Sequence, residues 1–459
     1  MARAKKEAAL TPEERLQAAL VPDWEWPYKL PGNWCWTNWG ECGEFVAGSG
    51  FKNEYQGFTN YDIPFYKVSS LKTANETGYL CDNTNTVDET VRKKLKAALI
   101  PANSLLFAKI GEAIRLNRRA INTVPCCVDN NMMAFIPIIC QLKYAFYWSK
   151  GIDLYDFTNA TTVPAIRKTD LEKISFPLAP LAEQQRIVDR IESLFAKLNE
   201  AKEKAQAVVD SFETRKAAIL HKAFTGELTA KWREEHGVGM ESWRTISFKD
   251  VCKKITDGTH HSPINTENGE YMYITAKNIK ENGIDLTNIT FVSKDVHEEI
   301  YSRCDVQYGD VLYIKDGATT GIATVNTIDK PFSLLSSVAV LRPDKKQILA
   351  EYMAYNLNSS KTKTMMISSM SGNAITRLTL SKIKAASITI CSLDEQEEIV
   401  RLIDDLLGKE QQVKETAEIV LNQIDLMKKS ILARAFRGEL GTNDPSEESA
   451  VELLKRTIL

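Results

Sequence analysis

LAEQQRIVDRIESLF, residues 181–195, returns as LDEQEEIVRLIDDLL at 393–407, an offset of 212 residues. The correspondence runs on without a gap to AAILHKAFTGEL (217–228) and KSILARAFRGEL (429–440). Glu183/Glu395, Gln184/Gln396, Ile187/Ile399, Val188/Val400, Phe224/Phe436 and Gly226/Gly438 are identical pairs. Identity kept over so long an aligned stretch marks an internal duplication.

Each copy reads as one long helix. The apolar positions of the first, Ile187, Ile191, Leu194, Leu198, Ala201, Ala205, Val208 and Phe212, alternate steps of four and three, a heptad seam. The second reads Ile399, Ile403, Leu406, Glu410, Val413, Ala417, Val420 and Ile424, interrupted at Glu410. Neither contains an internal proline, and Gly226 and Gly438 stand where a left-handed residue would stop the helix. Each helix should run about 40 residues, roughly 60 Å at ~1.5 Å per residue. Two matched seams in one chain predict an antiparallel coiled coil, with Ile187 near Ile431 and Phe212 near Val413 or Leu406.

A chain of 459 residues has room for two or three domains at roughly 150 residues each. The longest apolar run, AFIPIIC (134–140), is far shorter than the ~20 residues that span a bilayer, and MARAKKEAALTPEERL at the start lacks the apolar core of a signal peptide. Nine cysteines without a C-x-x-C pair fit reduced thiols and a cytoplasmic setting. Zinc is not expected, because the five histidines show no ligand spacing with them. Adjacent Cys126 and Cys127 read as small hydrophobes of a strand. The formal net charge is −2. By segment, 31–180 carries 16 Lys/Arg against 14 acids, 241–392 carries 18 against 16, and 393–441 carries 7 against 11. Two mildly basic domains are a weak sign of a nucleic-acid partner.

Between the helices lie short β-like runs punctuated by Gly, Asn and Asp. IPANSLLFAKIGEA (100–113) aligns with VQYGDVLYIKDGAT (306–319) at an offset of 206, pairing Lys109 with Lys315 and Gly111 with Gly317. The same offset sets DNNMMAFIP (129–137) on LSSVAVLRP (335–343), and Trp34 and Trp243 open the two blocks. The expected fold is α+β: an extension (1–30), a mixed domain (31–180), a helix (181–230), a second mixed domain (241–392), a second helix (393–441) and a tail (442–459). A helix kept nearly fixed beside a domain allowed to diverge suits one job done on two different targets.

This plan resembles the specificity subunit of type I restriction–modification enzymes, in which two target recognition domains are separated by conserved helices. The motifs that carry the resemblance are PLAPLAEQQRIV (177–188), ICSLDEQEEIV (390–400), the KAFTGEL and RAFRGEL helix ends, ITDGTHHSP (255–263) and WEWPYKLPGNWCW (24–36). The second copy has Cys391-Ser392 where the first has Ala179-Pro180, a departure at the helix start. The resemblance implies a non-catalytic chain that binds double-stranded DNA with a bipartite target, one half per domain. The helices would set the gap and dock two modification (methyltransferase) subunits and the restriction/translocase subunits. S-adenosylmethionine, ATP and Mg would belong to those partners, and no cofactor to this chain.

The enzyme alternative, a solo adenine-N6 DNA methyltransferase, has little support. No G-x-x-x-x-G-K-[ST] loop is present. EFVAGSG (44–50) and DIPF (62–65) echo methyltransferase motifs but stand too close for a doubly wound sheet. A coiled-coil scaffold that binds proteins is the other alternative. For DNA contact, base edges need polar side chains on loops or helices, and phosphates need Lys, Arg or backbone N–H groups. The candidates are Ser49 and Lys52 in GSGFKN, then Lys109, Arg115, Asn117, Arg118 and Arg119 in FAKIGEAIRLNRR. In the second domain they are Thr256, Asp257, Gly258, Thr259, His260, His261, Lys315 and Thr319, with Asn373 and Arg377 in SGNAITR.

Overall fold

Gly226 at φ +83° and Gly438 at φ +74° take the left-handed conformation expected beyond the two helices. In this computed structural model, which describes residues 11–80, 82–159, 163–369 and 378–458, the second repeat is a continuous helix, Leu393–Ala435. The first differs from the unbroken helix expected: Leu181–Asp210 is followed by Phe212–Thr225. Ser211 stands at the join, its hydroxyl donating to the Ala207 carbonyl at 2.6 Å, the back-bonding that perturbs helices locally.

The chain divides into two units, one reaching to Lys204 and resuming at Val420, the other Ala205–Ile419. In the first unit, Cys35–Asn38 pairs antiparallel with Ser175–Leu178, tying the domain's first strand to its last. A four-stranded antiparallel sheet has the order Gly43–Ala47, Met132–Pro137, Leu105–Ala108, Arg119–Ile121. A smaller sheet sets Ile63–Tyr66 antiparallel to Thr86–Val87 and parallel to Cys127–Val128. Trp39 is fully buried, with Phe45 and Trp148 edge-on at 4.9 and 4.8 Å; burial of such side chains stabilises by roughly 1.5–3 kcal/mol each. The first helix, Pro12–Ala19, starts with a complete capping box at Thr11 and Glu14. Ala19, Ala450 and Leu454 join the same core, so both terminal segments pack on this unit.

The second unit repeats the plan. Arg244–Ser247 pairs with Ser387–Ile390. The four-stranded sheet runs Cys252–Asp257, Val338–Pro343, Val311–Ile314, Ala323–Val325, again antiparallel. Tyr271–Ile274 stands antiparallel to Thr290–Val292 and parallel to Ser333–Leu334. Strand order and pairing sense match the first unit throughout these three sheets. The duplication therefore includes the divergent domains.

The repeated Glu-Gln pair is structural in both units. Glu183 is buried and accepts from the Trp34 indole at 2.7 Å and from Asn443 at 2.8 Å. Glu395 is buried and accepts from the Trp243 indole at 2.9 Å and from Thr229 at 2.7 Å. Gln184 accepts from the Gln141 amide at 2.7 Å and Gln396 from that of Leu349 at 3.0 Å, each at the start of a domain helix. Each glutamine also donates to the carbonyl five residues back, Ala179 or Cys391. The Cys391-Ser392 departure leaves this geometry unchanged: Gln184 donates its amide to Pro180 and Gln396 to Ser392, both at 2.9 Å.

Helix packing within each unit is antiparallel. In the first, Ile187 and Ile191 share a core with Leu432, Ala435 and Phe436, and further along Asn199 bonds Lys428. Leu194 and Leu198 line a surface cleft with Met427 and Ile431. In the second, Lys414 lies 4.8 Å from the Phe212 ring, Arg215 pairs with Glu410 at 2.6 Å, and Leu220 shares a core with Ile399 and Ile403. Partners fall in number as positions rise. Of the seam positions, Val208, Leu406 and Val420 are half-buried and Ile424 is buried. Val413 of the same seam is 50% exposed, at the level where the Lys414 ammonium lies over the Phe212 ring. The interrupting Glu410 is matched by a cation on the facing helix.

Candidate nucleic-acid interface

The two loops nominated from sequence, GSGFKN and TDGTHH, occupy matched places. Each leaves the first strand of its four-stranded sheet and at once pairs in parallel with a distant segment, Ser49 with Asp129 and Thr259 with Leu335. The glycine before each pair is a packing requirement. A Cβ on Gly48 would lie 1.8 Å from the Asp129 carbonyl oxygen, and one on Gly258 would lie 2.0 Å from that of Leu334. Lys109 and Lys315 end the matched strands beside these loops, their amides bonding Asn131 and Ser337 at 2.8 and 2.9 Å. Gly111 and Gly317 follow with φ of +80° and +102°, turning the chain away.

In the first unit, Lys52 is exposed and 4.0 Å from Glu54, Ser49 and Lys109 are half-buried, and Arg118 is exposed. Arg115 is exposed, its guanidinium 3.4 Å from the Tyr155 ring centroid and 2.9 Å from Glu112. Asn117 is turned inward at φ +47° and donates to the Ile152 carbonyl at 2.9 Å. Arg119 corrects the expectation of a DNA contact. It is 4% exposed and donates to Asn117 and to the carbonyls of Arg118 and Ser149, and burial lowers its pKa to about 9. The structure thus separates the run 109–119: Lys109 bonds Asn131, two residues from the Asp129 that pairs with Ser49, whereas Arg115 and Asn117 face the 152–155 segment.

In the second unit, His260, His261 and Thr319 are exposed, and Thr256 and Thr259 are half-buried. Asp257 and Lys315 are corrections of the same kind. Asp257 is 3% exposed and Lys315 is 6% exposed, and they pair at 3.4 Å, with Asp316 3.5 Å from the same ammonium. Gly258 is buried against backbone and serves by its lack of a side chain. Asn373 and Arg377 lie outside the described residues. The sequence reading missed Arg303, whose half-exposed guanidinium meets Asp257 at 2.7 Å. Its partner is 46 residues away, so no local pattern marks it.

The methyltransferase echoes are strand and loop. EFVAGSG covers most of Gly43–Ala47 and the loop after it, and DIPF enters Ile63–Tyr66, both in sheets with antiparallel neighbours. Cys126 and Cys127 are fully buried, and the eight cysteines among the described residues are unbridged. Among those residues no group of three or more His, Cys, Asp or Glu could hold a metal ion, and no helix is long and apolar enough to cross a membrane.

A family profile described as "Type I restriction modification DNA specificity domain" matches twice, over residues 31–209 and 240–422. Curated relatives include the type I restriction enzyme EcoBI specificity subunit of Escherichia coli, 26% identical over 299 residues, 62% of each chain. The EcoKI specificity subunit of Escherichia coli strain K12 is 24% identical over 287 residues, 60% of each. Among solved structures, the HsdS subunit from Thermoanaerobacter tengcongensis superposes with a TM-score of 0.60 at 18% identity, over 91% of this chain and 100% of that one. A chain from a study of assembly and conformational transition of the type I R-M system gives 0.65 at 18% identity, over 90% and 100%. Both likenesses are of fold.

Proposed function

Since the chain belongs to the type I restriction–modification DNA specificity family, we propose that each of its units reads one half of a bipartite double-stranded DNA target and that the chain itself catalyses nothing. One observation carries this reading. The same glycine-anchored loop stands at the same sheet end in both units, with different side chains on it: Ser49-Gly50-Phe51-Lys52 in one and Thr259-His260-His261-Ser262 in the other. A fixed frame with exchanged side chains is what two different half-sites require. Exchanging residues 31–180 for the first domain of another family member should change one half-site and leave the other intact. A swap that altered both would overturn independent reading.

In the same proposal the long helices dock two modification subunits, which methylate adenine, and the restriction subunits join that assembly in the cytoplasm. S-adenosylmethionine, ATP and Mg act in those partners. The small positive excess of each domain then suffices, because phosphate neutralisation is shared with the partners. Footprinting with and without co-expressed modification subunits tests this, with protection of a two-part site expected in the complex. The helices also set the gap. Four residues inserted after Ala205 add about one turn, roughly 6 Å, nearly keep the seam in phase, and should lengthen the unspecified gap by one or two base pairs. Methylation mapping reads the outcome, and an active variant with an unchanged gap would refute the ruler.

A further inference from the structure

The helix Lys294–Arg303 ends against the second unit's reading loop. Nη2 of Arg303 lies within hydrogen-bond distance of three acceptors there: the Asp257 carboxylate at 2.7 Å, the Asp257 carbonyl at 3.1 Å and the Gly258 carbonyl at 2.7 Å. The carboxylate is almost fully buried, while the arginine side chain is 52% exposed. One edge of the guanidinium is therefore anchored, and among the described residues its Nη1 and Nε meet no acceptor. Thr259, His260, His261, Glu299, Ile300 and Arg303 line one cleft.

We propose that Arg303 is a specificity-determining residue of the second unit, positioning the Gly258–His261 loop through Asp257 and giving its outward N–H groups to a DNA phosphate beside the bases that the loop reads. This rests on the DNA-reading function above. A planar guanidinium presents five N–H donors in a fixed fork, so one edge can hold the loop while another meets a phosphate oxygen in a set direction, which the single rotatable nitrogen of an ammonium does not fix. The loop has little other freedom. Gly258 is packed against the Leu334 carbonyl, Thr259 donates to it at 2.8 Å, and Ser336 donates back to Thr259 at 2.8 Å. Asp257 also lies 3.4 Å from Nε2 of His260, so a shift of its carboxylate reaches that side chain directly. The second charge of the site is already matched, since Lys315 faces both Asp257 and Asp316. Glu299 on the cleft wall repels phosphate, which confines the contact to the Arg303 end. The first unit carries Ala47 where the second has Asp257, each just before its glycine, so it has no such latch.

The test uses the complex with co-expressed modification subunits, a duplex carrying its mapped target, and panels of single base changes in each half, measured over a salt series. Arg303→Ala should bind about tenfold or more weakly, flatten its salt dependence by about one phosphate contact, and lose discrimination in the second half alone. Arg303→Lys keeps the charge and the salt slope but should still lose second-half discrimination. An Arg303→Ala complex with the wild-type slope, or discrimination lost equally in both halves, overturns the inference. Should the alanine variant fail to assemble, undiminished second-half discrimination in Arg303→Lys overturns the positioning role on its own. A wild-type complex that protects no two-part site overturns the DNA-reading function itself, a different failure from a protected site that ignores Arg303.

Discussion

The indole N–H of Trp34 donates to the buried carboxylate of Glu183 at 2.7 Å, across 149 positions of sequence. Trp243 and Glu395 repeat the bond at 2.9 Å across 152 positions. Each bond fastens the start of a domain to the start of a long helix.

Removing the donor leaves a buried carboxylate short of a partner. Trp34→Phe should cost about 1–3 kcal/mol in urea unfolding. Hydrogen exchange should loosen in residues up to 204 and from 420 onward, while 205–419 keep their protection. Equal loosening of both units would show that the bond is not local in its effect.

Gly258→Ala forces a Cβ to within 2.0 Å of a carbonyl oxygen unless the loop moves, whereas a Cβ on Gly50 meets nothing within 4 Å. The first substitution should lose recognition of one half-site and lower stability by more than about 1 kcal/mol. Gly50→Ala should leave stability unchanged, which thermal unfolding compares directly, while methylation mapping reads the half-site lost by Gly258→Ala.

Arg215 and Glu410 are 31% and 26% exposed, so their pairing is partly screened. A double-mutant cycle should return a coupling of about 0.5–1 kcal/mol that shrinks with salt. Replacing both by leucine restores the apolar seam and should be neutral or stabilising. A clear loss of stability in the double variant would mean that the pair specifies register.

Lys150 is largely buried, its ammonium 4.6 Å from the Phe146 ring, and burial followed by the charges of Arg119, Lys428 and Lys143 lowers its pKa to about 8. The unfolded chain keeps that proton to about pH 10.4. Between pH 8 and pH 10 the unfolded state binds more protons, so this group's contribution to stability rises with pH. Lys150→Met should therefore raise Tm at pH 7, with the advantage fading as pH approaches 10. An advantage independent of pH would assign the effect to packing alone.

The helices were legible because a heptad is local: Ile187, Ile191, Ile399 and Ile403 announce their face within a few turns, and all four are fully buried. Val413 departs from the template because Phe212 meets the Lys414 ammonium at that level, and a seam template scores lysine as polar. Charges next to strands were the harder case. Arg119, Asp257 and Lys315 sit in loop-flanking positions typical of DNA contacts, yet their partners arrive from elsewhere: Ser149 is 30 residues from Arg119. The inward or outward sense of such a side chain depends on those distant partners, and Arg303 went unnoticed for the same reason. The matched loops, AGSGF and DGTHH, share only a glycine in sequence, and the parallel pairing of Ser49 and Thr259 with distant segments shows them to be one feature.

The donors that complete Glu183 also have a consequence for synthesis. Asn443 reaches that carboxylate at 2.8 Å, and Glu447 holds Arg186 through two contacts of 2.8 Å. All the parts of the second unit are contiguous and emerge from the ribosome before residues 420–459. The first unit, though translated earlier, must wait for residues 420–459, with Glu183 held by Trp34 alone and Arg186 without Glu447. Vectorial folding is thus inverted: nascent chains arrested with residue 430 just outside the exit tunnel should resist protease over 205–419 and be cut within 31–180.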